Sequence, residues 1–298
     1  MGDSAALEDA APGGAAAPRS PARSPARRTL LAGALAAAAV PRALGPAPSP
    51  HPATGLPALR ACGASAWALD LRTGARLAHR PDVPRPLLSL HAGLVAAQLL
   101  RTGGPAVLRR HLRFSPDDLV DGSPVCCWHL SEGMSVGQLC DAALRRADAT
   151  AANLLLGLVG GPRGFTRSCR ELGDRTTRLD RWAPASSGGQ PWEPRDVTSA
   201  TALARGYGRV LVGTALPAPA RPLLRSWLPT APLPGGWCFT HAAATGWYGS
   251  AAVVGLAQRG ARTVLVSALT RSGQPSTRGS ARTARAAVAS VLQLLEGG

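Results

Sequence analysis

Strand-like alternation is confined to the two ends of the foldable part of this chain, and that arrangement restricts its architecture more than any other feature. Residues 64–71 alternate apolar and small side chains. A turn signal at Arg72-Thr73-Gly74 and a second short run at 76–79 follow, which predicts a β-hairpin. Far downstream, 237–240, 251–257 and 264–269 predict three further strands joined by short turns. Everything between reads as helix or loop. The segment 87–100 is apolar apart from Ser89, His91, Gly93 and Gln98, which predicts a largely buried helix. Helices are also predicted at 135–144, 149–159 and 199–212, and an amphipathic one at 282–295 closes the chain. The segment 172–187 has no sustained period and predicts a loop. Strands from both termini must then meet in one antiparallel sheet with helices packed on it.

Residues 1–55 predict no folded domain, because 11–26 is Ala, Pro, Ser, Gly and Arg and cannot bury a core. Within it, Arg27-Arg28 precedes an apolar run to Val40 that is too short to span a bilayer. This resembles a twin-arginine export signal, with small residues near 43–49 where cleavage would fall. No Cys stands nearby, so no stable membrane anchor is expected, and the protein is expected to be exported. The domain proper is placed at 56–298.

Composition enters through its charge. The chain has 33 basic and 17 acidic residues, a formal net charge of +16 at pH 7, and every basic residue is Arg. Lysine is absent and Asn153 is the one asparagine, which excludes lysine bases, Schiff bases and P-loop lysines. Coding bias is the simplest source of such usage. The arginines are dispersed and aromatic residues are 4% of the chain, so nucleic acid is not an expected partner. The six cysteines (62, 126, 127, 140, 169 and 238) include no CxxC spacing, so no metal site or cofactor is expected. One or two disulfides, or buried free thiols, both fit those cysteines.

Several segments, taken in order, resemble class A serine β-lactamases. They are Pro86-Leu87-Leu88-Ser89, the stretch 117–125, Leu130-Ser131-Glu132-Gly133-Met134-Ser135-Val136, and Ala149 to Leu156. Gly173 to Trp182 and Gly235-Gly236-Trp237 continue the series. The resemblance covers about 56–296. It implies an α/β (α+β) fold with a five-stranded antiparallel sheet, helices on both faces and an all-helical subdomain. It also implies a monomer acting on β-lactams.

The catalytic motifs of that family depart from the pattern. Ser89 stands at the nucleophile position, but Ala92 stands where the family's S-x-x-K motif has Lys. The S-D-N motif reads Ala147-Asp148-Ala149. Ala183 follows Arg181-Trp182 where the family has the omega-loop Glu, and Ser187 matches the Asn that helps to hold water. The K-T-G strand motif is matched at Ala242-Ala243-Ala244, with the lost groups assigned to Ala242 and Ala243. Arg-for-Lys bias would have left Arg at the lysine positions. Arg181 and Asp196 match the pair that ties the ends of the omega loop, and Asp148 matches a structural residue.

A serine needs a positioned base to become a nucleophile. His91 is two residues from Ser89 and on another helix face. His241 should point away from the site by strand alternation. Arg145 and Arg146 are not bases, and Glu171 and Glu193 only flank the loop. A backbone oxyanion hole around Ser89 requires no side chain and could persist. The expectation is therefore a pseudoenzyme that binds a β-lactam, a cell-wall-derived ligand or a protein partner. The alternative is a weak or atypical β-lactam hydrolase using Ser89.

Overall fold

The computed structural model describes residues 57–61, 63–190, 192–275 and 277–296. The twin-arginine segment and Cys62 lie outside the described residues. In chain order the first elements are α1 (Pro57–Ala61), β1 (Ser65–Asp70), β2 (Arg76–His79) and β3 (Arg85–Pro86). A 3-10 turn (Leu88–Leu90) leads into α2 (His91–Gly103), followed by β4 (His111–Leu112), β5 (Met134–Ser135), α3 (Val136–Arg145), α4 (Ala149–Leu158) and α5 (Gly161–Glu171). After a long loop come β6 (Val197–Thr198), α6 (Ala200–Leu211), α7 (Ala220–Ser226), β7 (Thr230–Leu233), β8 (Trp237–Thr245), β9 (Ala251–Arg259), β10 (Arg262–Thr270) and α8 (Ala281–Glu296).

Both ends of the chain do build one antiparallel sheet, in the order β2-β1-β10-β9-β8-β7. It has six strands, so the five-stranded expectation is corrected. The extra strand is β7, which carries Pro232 and pairs only with β8. Proline is tolerated at such an edge, and a four-residue segment containing it shows no alternation to read. Strand β8 also runs five residues beyond the predicted 237–240, because its second half pairs with β9 from His241↔Gly255 to Thr245↔Ala251.

Each face of the sheet buries its own core. On one side α8 packs Val288, Val291 and Leu292 against Phe239, Val253, Val264 and Val266, with Leu59 of α1 in the same cluster. On the other side α2, α3, α4 and α6 supply Leu94, Leu99, Leu139, Leu155 and Leu203 to a larger core reaching Val254 and Leu265. The central strand β9 is buried over its first seven residues, as a strand covered on both faces must be.

Local chemistry sets the helix starts. Ser135 and Gln138 form a reciprocal capping box on α3, and Asp148 caps α4 by accepting from Ala151 N. Ser199 caps α6. Helices α5 and α7 were not predicted: α5 is rich in Gly and Arg, and α7 is only seven residues long. Among the described residues Cys126, Cys127, Cys140, Cys169 and Cys238 are free thiols. Burial pushes the Cys140 and Cys169 thiols up to about 12. No described helix is long and apolar enough to cross a membrane, and no described cluster of His, Cys, Asp or Glu could hold a metal.

Candidate functional site

Ser89 lies in the 3-10 turn that opens into α2, and the residue before it is held in an unusual conformation. Leu88 has φ +55°, a region that costs a bulky side chain of order 1–3 kcal/mol and persists only where its surroundings enforce it. Three contacts brace this turn. Leu87 N donates to Asp196 O at 2.7 Å, His91 Nδ1 donates to Leu88 O at 3.0 Å, and Tyr207 Oη donates to Leu90 O at 2.7 Å. Gly93 is required beneath it, since a Cβ there would sit 2.3 Å from the Tyr207 hydroxyl. Gly246 is required beside it, since a Cβ would come within 2.7 Å of the Leu88 side chain.

Ala147-Asp148-Ala149 forms the wall between α3 and α4. Ala147 has φ +54°, and the Asp148 carboxylate is fully buried. Its Oδ2 accepts from Val125 N at 2.8 Å and Cys126 N at 2.9 Å, and its Oδ1 accepts from Ala151 N at 2.8 Å. Three donated N–H groups occupy this carboxylate, so it pins the 120s loop to α4.

The loop between α5 and β6 is closed at its neck by charge. Arg181 Nε donates to Asp196 Oδ2 at 2.5 Å, while Asp196 Oδ1 accepts from Asp180 N and Arg181 N at 2.7 and 3.0 Å. Glu193 pairs with Arg195 at 2.6 Å and with Arg181 at 3.2 Å. The hydrogen bonds from Arg195 hold the Glu193 carboxyl down at about 2. Further along, the Asn153 side chain grips the backbone of Ala183 from both sides. Its Nδ2 donates to Ala183 O at 2.9 Å and its Oδ1 accepts from Ala183 N at 3.0 Å. The chain's single asparagine thus fixes the loop at Ala183. Sequence reasoning noted Asn153 without finding this role, and the signal available was its rarity.

These segments enclose a cavity of about 920 Å³. Ser89, Ala147, Ala149, Ala183, Ser187 and Ala243 line it, together with Arg181. Two of the positions singled out in the sequence do not. Ala92 is 2% exposed and packs into the helical core, one turn below Ser89. Ala242 is buried in the same core. Ala242 and Ala244 face the helical layer of the sheet, whereas Ala243 packs towards α8. The strand positions at the cavity are Ala243, Ala244 and Thr245, so the assignment to Ala242 is corrected by two residues. Counting back from Thr245-Gly246 along the strand would have found Ala244. His241 points to the α8 side as expected and stacks face to face on Phe239, 4.6 Å between ring centroids.

Among the described residues few ionisable groups reach the cavity: His91, Asp121, Asp148, Arg181 and Arg278. His91 packs edge-on against Phe165, and its Nε2 is buried with no hydrogen-bond partner. Burial pushes its pKa down, overriding the Leu88 carbonyl and Asp196, so the ring is neutral. No described side-chain base hydrogen-bonds to the Ser89 hydroxyl. Arg278 stacks over Trp247 at 4.4 Å on the cavity rim.

A braced serine at a helix start, an omega-type loop and a six-stranded sheet therefore surround one cavity. A family model described as the beta-lactamase enzyme family matches residues 58–294. The chain belongs to the class A serine β-lactamase family. It is 38% identical over 214 residues to β-lactamase AST-1 of Nocardia asteroides, covering 68% of this chain and 69% of that protein. It is 44% identical over 166 residues to a β-lactamase of Streptomyces cellulosae, where the match spans 53% of that protein and 54% of this chain. Among solved structures, the β-lactamase from Streptomyces albus G superposes with a TM-score of 0.75 at 32% identity, covering 80% of this chain and 96% of that one. The β-lactamase from Desulfarculus baarsii does so with a TM-score of 0.75 at 33% identity, over the same shares.

Proposed function

We propose that this β-lactamase-family chain holds a β-lactam or cell-wall-derived ligand in the Ser89 cavity without turning it over efficiently. The observation that carries the reading is the cavity wall itself. Ala147, Ala149, Ala183 and Ala244 occupy it, and Asp148 and Arg181 are already bonded within the protein. The family resemblance gives those positions polar or charged groups, with a further Lys at Ala92. Each general acid–base group contributes about 10²–10⁴-fold in rate, so losing both base systems costs on the order of 10⁴-fold or more.

The second reading, a weak hydrolase acting through Ser89, draws support from the preserved turn. Strain at Leu88 is retained, and backbone N–H groups beside Ser89 need no side chain to stabilise an oxyanion. Export through the Arg27-Arg28 signal, and action as a monomer, complete the proposal.

The deciding experiment incubates purified protein with a chromogenic cephalosporin and with a penicillin, following hydrolysis and weighing the intact protein. A stable adduct on Ser89, or a thermal shift without turnover, supports the binding reading. Efficient turnover that vanishes in Ser89→Ala supports the hydrolase and sinks the first reading. Absence of adduct, shift and turnover redirects the search to a protein partner.

A further inference from the structure

A second concavity of about 350 Å³ lies beside the first, and Gln190 borders both. Its walls are Pro84-Arg85-Pro86, Trp192, Glu193 and Pro194 from the end of the omega loop, Val197 and Arg271 just past β10.

Arg85 is the unusual member. It is 4% exposed, its Nε donates to Ser65 Oγ at 3.0 Å, and its Nη2 donates to Gly63 O at 2.8 Å. No described carboxylate pairs with it, and the charges that act on it are like charges, Arg271 and Arg80. Burial and those neighbours lower its pKa to about 10, still charged at neutral pH. A buried charge is normally retained only when paired or coordinated. Arg271 borders the same groove and makes no ion pair of its own among the described residues. The one carboxylate on the rim, Glu193, is spoken for by Arg195 and Arg181. Apart from Gln190, the rest of the wall is apolar: three prolines, Val197, and Trp192, which is 71% exposed and rests edge-on against Tyr248 at 5.2 Å.

We propose that this groove is a second ligand site, taking a carboxylate attached to an apolar ring, with the carboxylate between Arg85 and Arg271 and the ring against Trp192 and the prolines. A planar guanidinium presents paired donors that match a carboxylate. An exposed indole beside prolines supplies apolar surface that a bare inorganic anion would leave unused.

The test titrates the protein with benzoate by calorimetry, alongside benzamide and inorganic phosphate. Benzoate is expected to bind saturably, with benzamide and phosphate each about tenfold weaker or more. Arg271→Gln, a partly exposed position, is expected to weaken benzoate about tenfold or more. Arg278→Gln on the neighbouring cavity should leave it within about twofold. Trp192→Phe should abolish any benzoate-dependent fluorescence change while the calorimetric signal remains. No saturable benzoate binding, equal binding of benzamide or phosphate, or a loss in Arg278→Gln instead of Arg271→Gln would each overturn the assignment. None of these outcomes depends on whether Ser89 reacts with a β-lactam.

Discussion

Replacing Asp148 with Asn changes one atom and should cost more than any surface substitution in this domain. The carboxylate accepts three backbone N–H bonds between 2.8 and 2.9 Å while fully buried. Hydrogen bonds to a charged acceptor contribute about 1.5–3 kcal/mol each. Asparagine has one acceptor oxygen. If it faces Ala151 N, its amide N–H groups meet the Val125 and Cys126 donors head on. If it faces those two, the Ala151 donor at the start of α4 is opposed instead. One or two charge-assisted bonds are lost and a donor confronts a donor, so the expected loss is about 3–5 kcal/mol. For a domain of this size that lowers the melting midpoint by roughly 6–20 °C. Urea unfolding followed by circular dichroism measures it, with Asp141→Asn as the reference. Asp141 pairs with Arg145 on the surface at 2.9 Å and should change stability by about 1 kcal/mol at most. A loss under about 1 kcal/mol for Asp148→Asn would refute the claim that this carboxylate is a saturated structural hub.

Four further outcomes follow from the same contacts. Asn153→Ala removes both bonds to Ala183, so hydrogen exchange and proteolysis across the omega loop should accelerate while α4 stays protected; an unchanged loop would contradict the clamp. His91 is buried with its pKa below the ordinary 6.5, so the unfolded chain binds more protons as the pH drops past that value; stability is full above about 6.5 and declines below it. His79 and His241 shift the same way, so His91→Phe should flatten the pH dependence of urea midpoints only in part, and an unaltered slope would refute its share. Glu193 has the opposite window: its pKa is lowered from 4.5 to about 2, so its contribution is present above about 4.5 and is lost as pH falls towards 2, a loss that Glu193→Gln should remove from an acid titration. Finally, on the proposed binding reading Ala92→Lys combined with Ala183→Glu should raise penicillin hydrolysis by about 10²-fold or more, read against a drop in melting temperature because Ala92 is buried; no gain would count against the assignment of base positions to 92 and 183.

The order of elements was legible because it rests on local periodicity. The terminal strands, the buried helix after Ser89 and the amphipathic α8 bury apolar faces at the spacing that each backbone imposes. The family was legible because short segments kept their order and spacing. Residues 89, 147, 149, 183 and 187 all line one cavity, and helix and loop motifs carry their own register. The strand was harder. In a run of three alanines no side chain marks the face, and the sequence pointed to Ala242 and Ala243 where the cavity presents Ala243 and Ala244.

What the sequence determined by itself is the family and the residue types at its motif positions: no lysine occurs in the chain, and alanine stands at 92, 147, 149 and 183. Only the tertiary structure decided which alanines form a wall. It alone put Leu88 in a left-handed turn, closed Asn153 over Ala183, and left Arg85 buried without a counter-charge among the described residues. Each of these depends on a partner many residues away, and a contact between distant segments leaves no periodic trace in either of them.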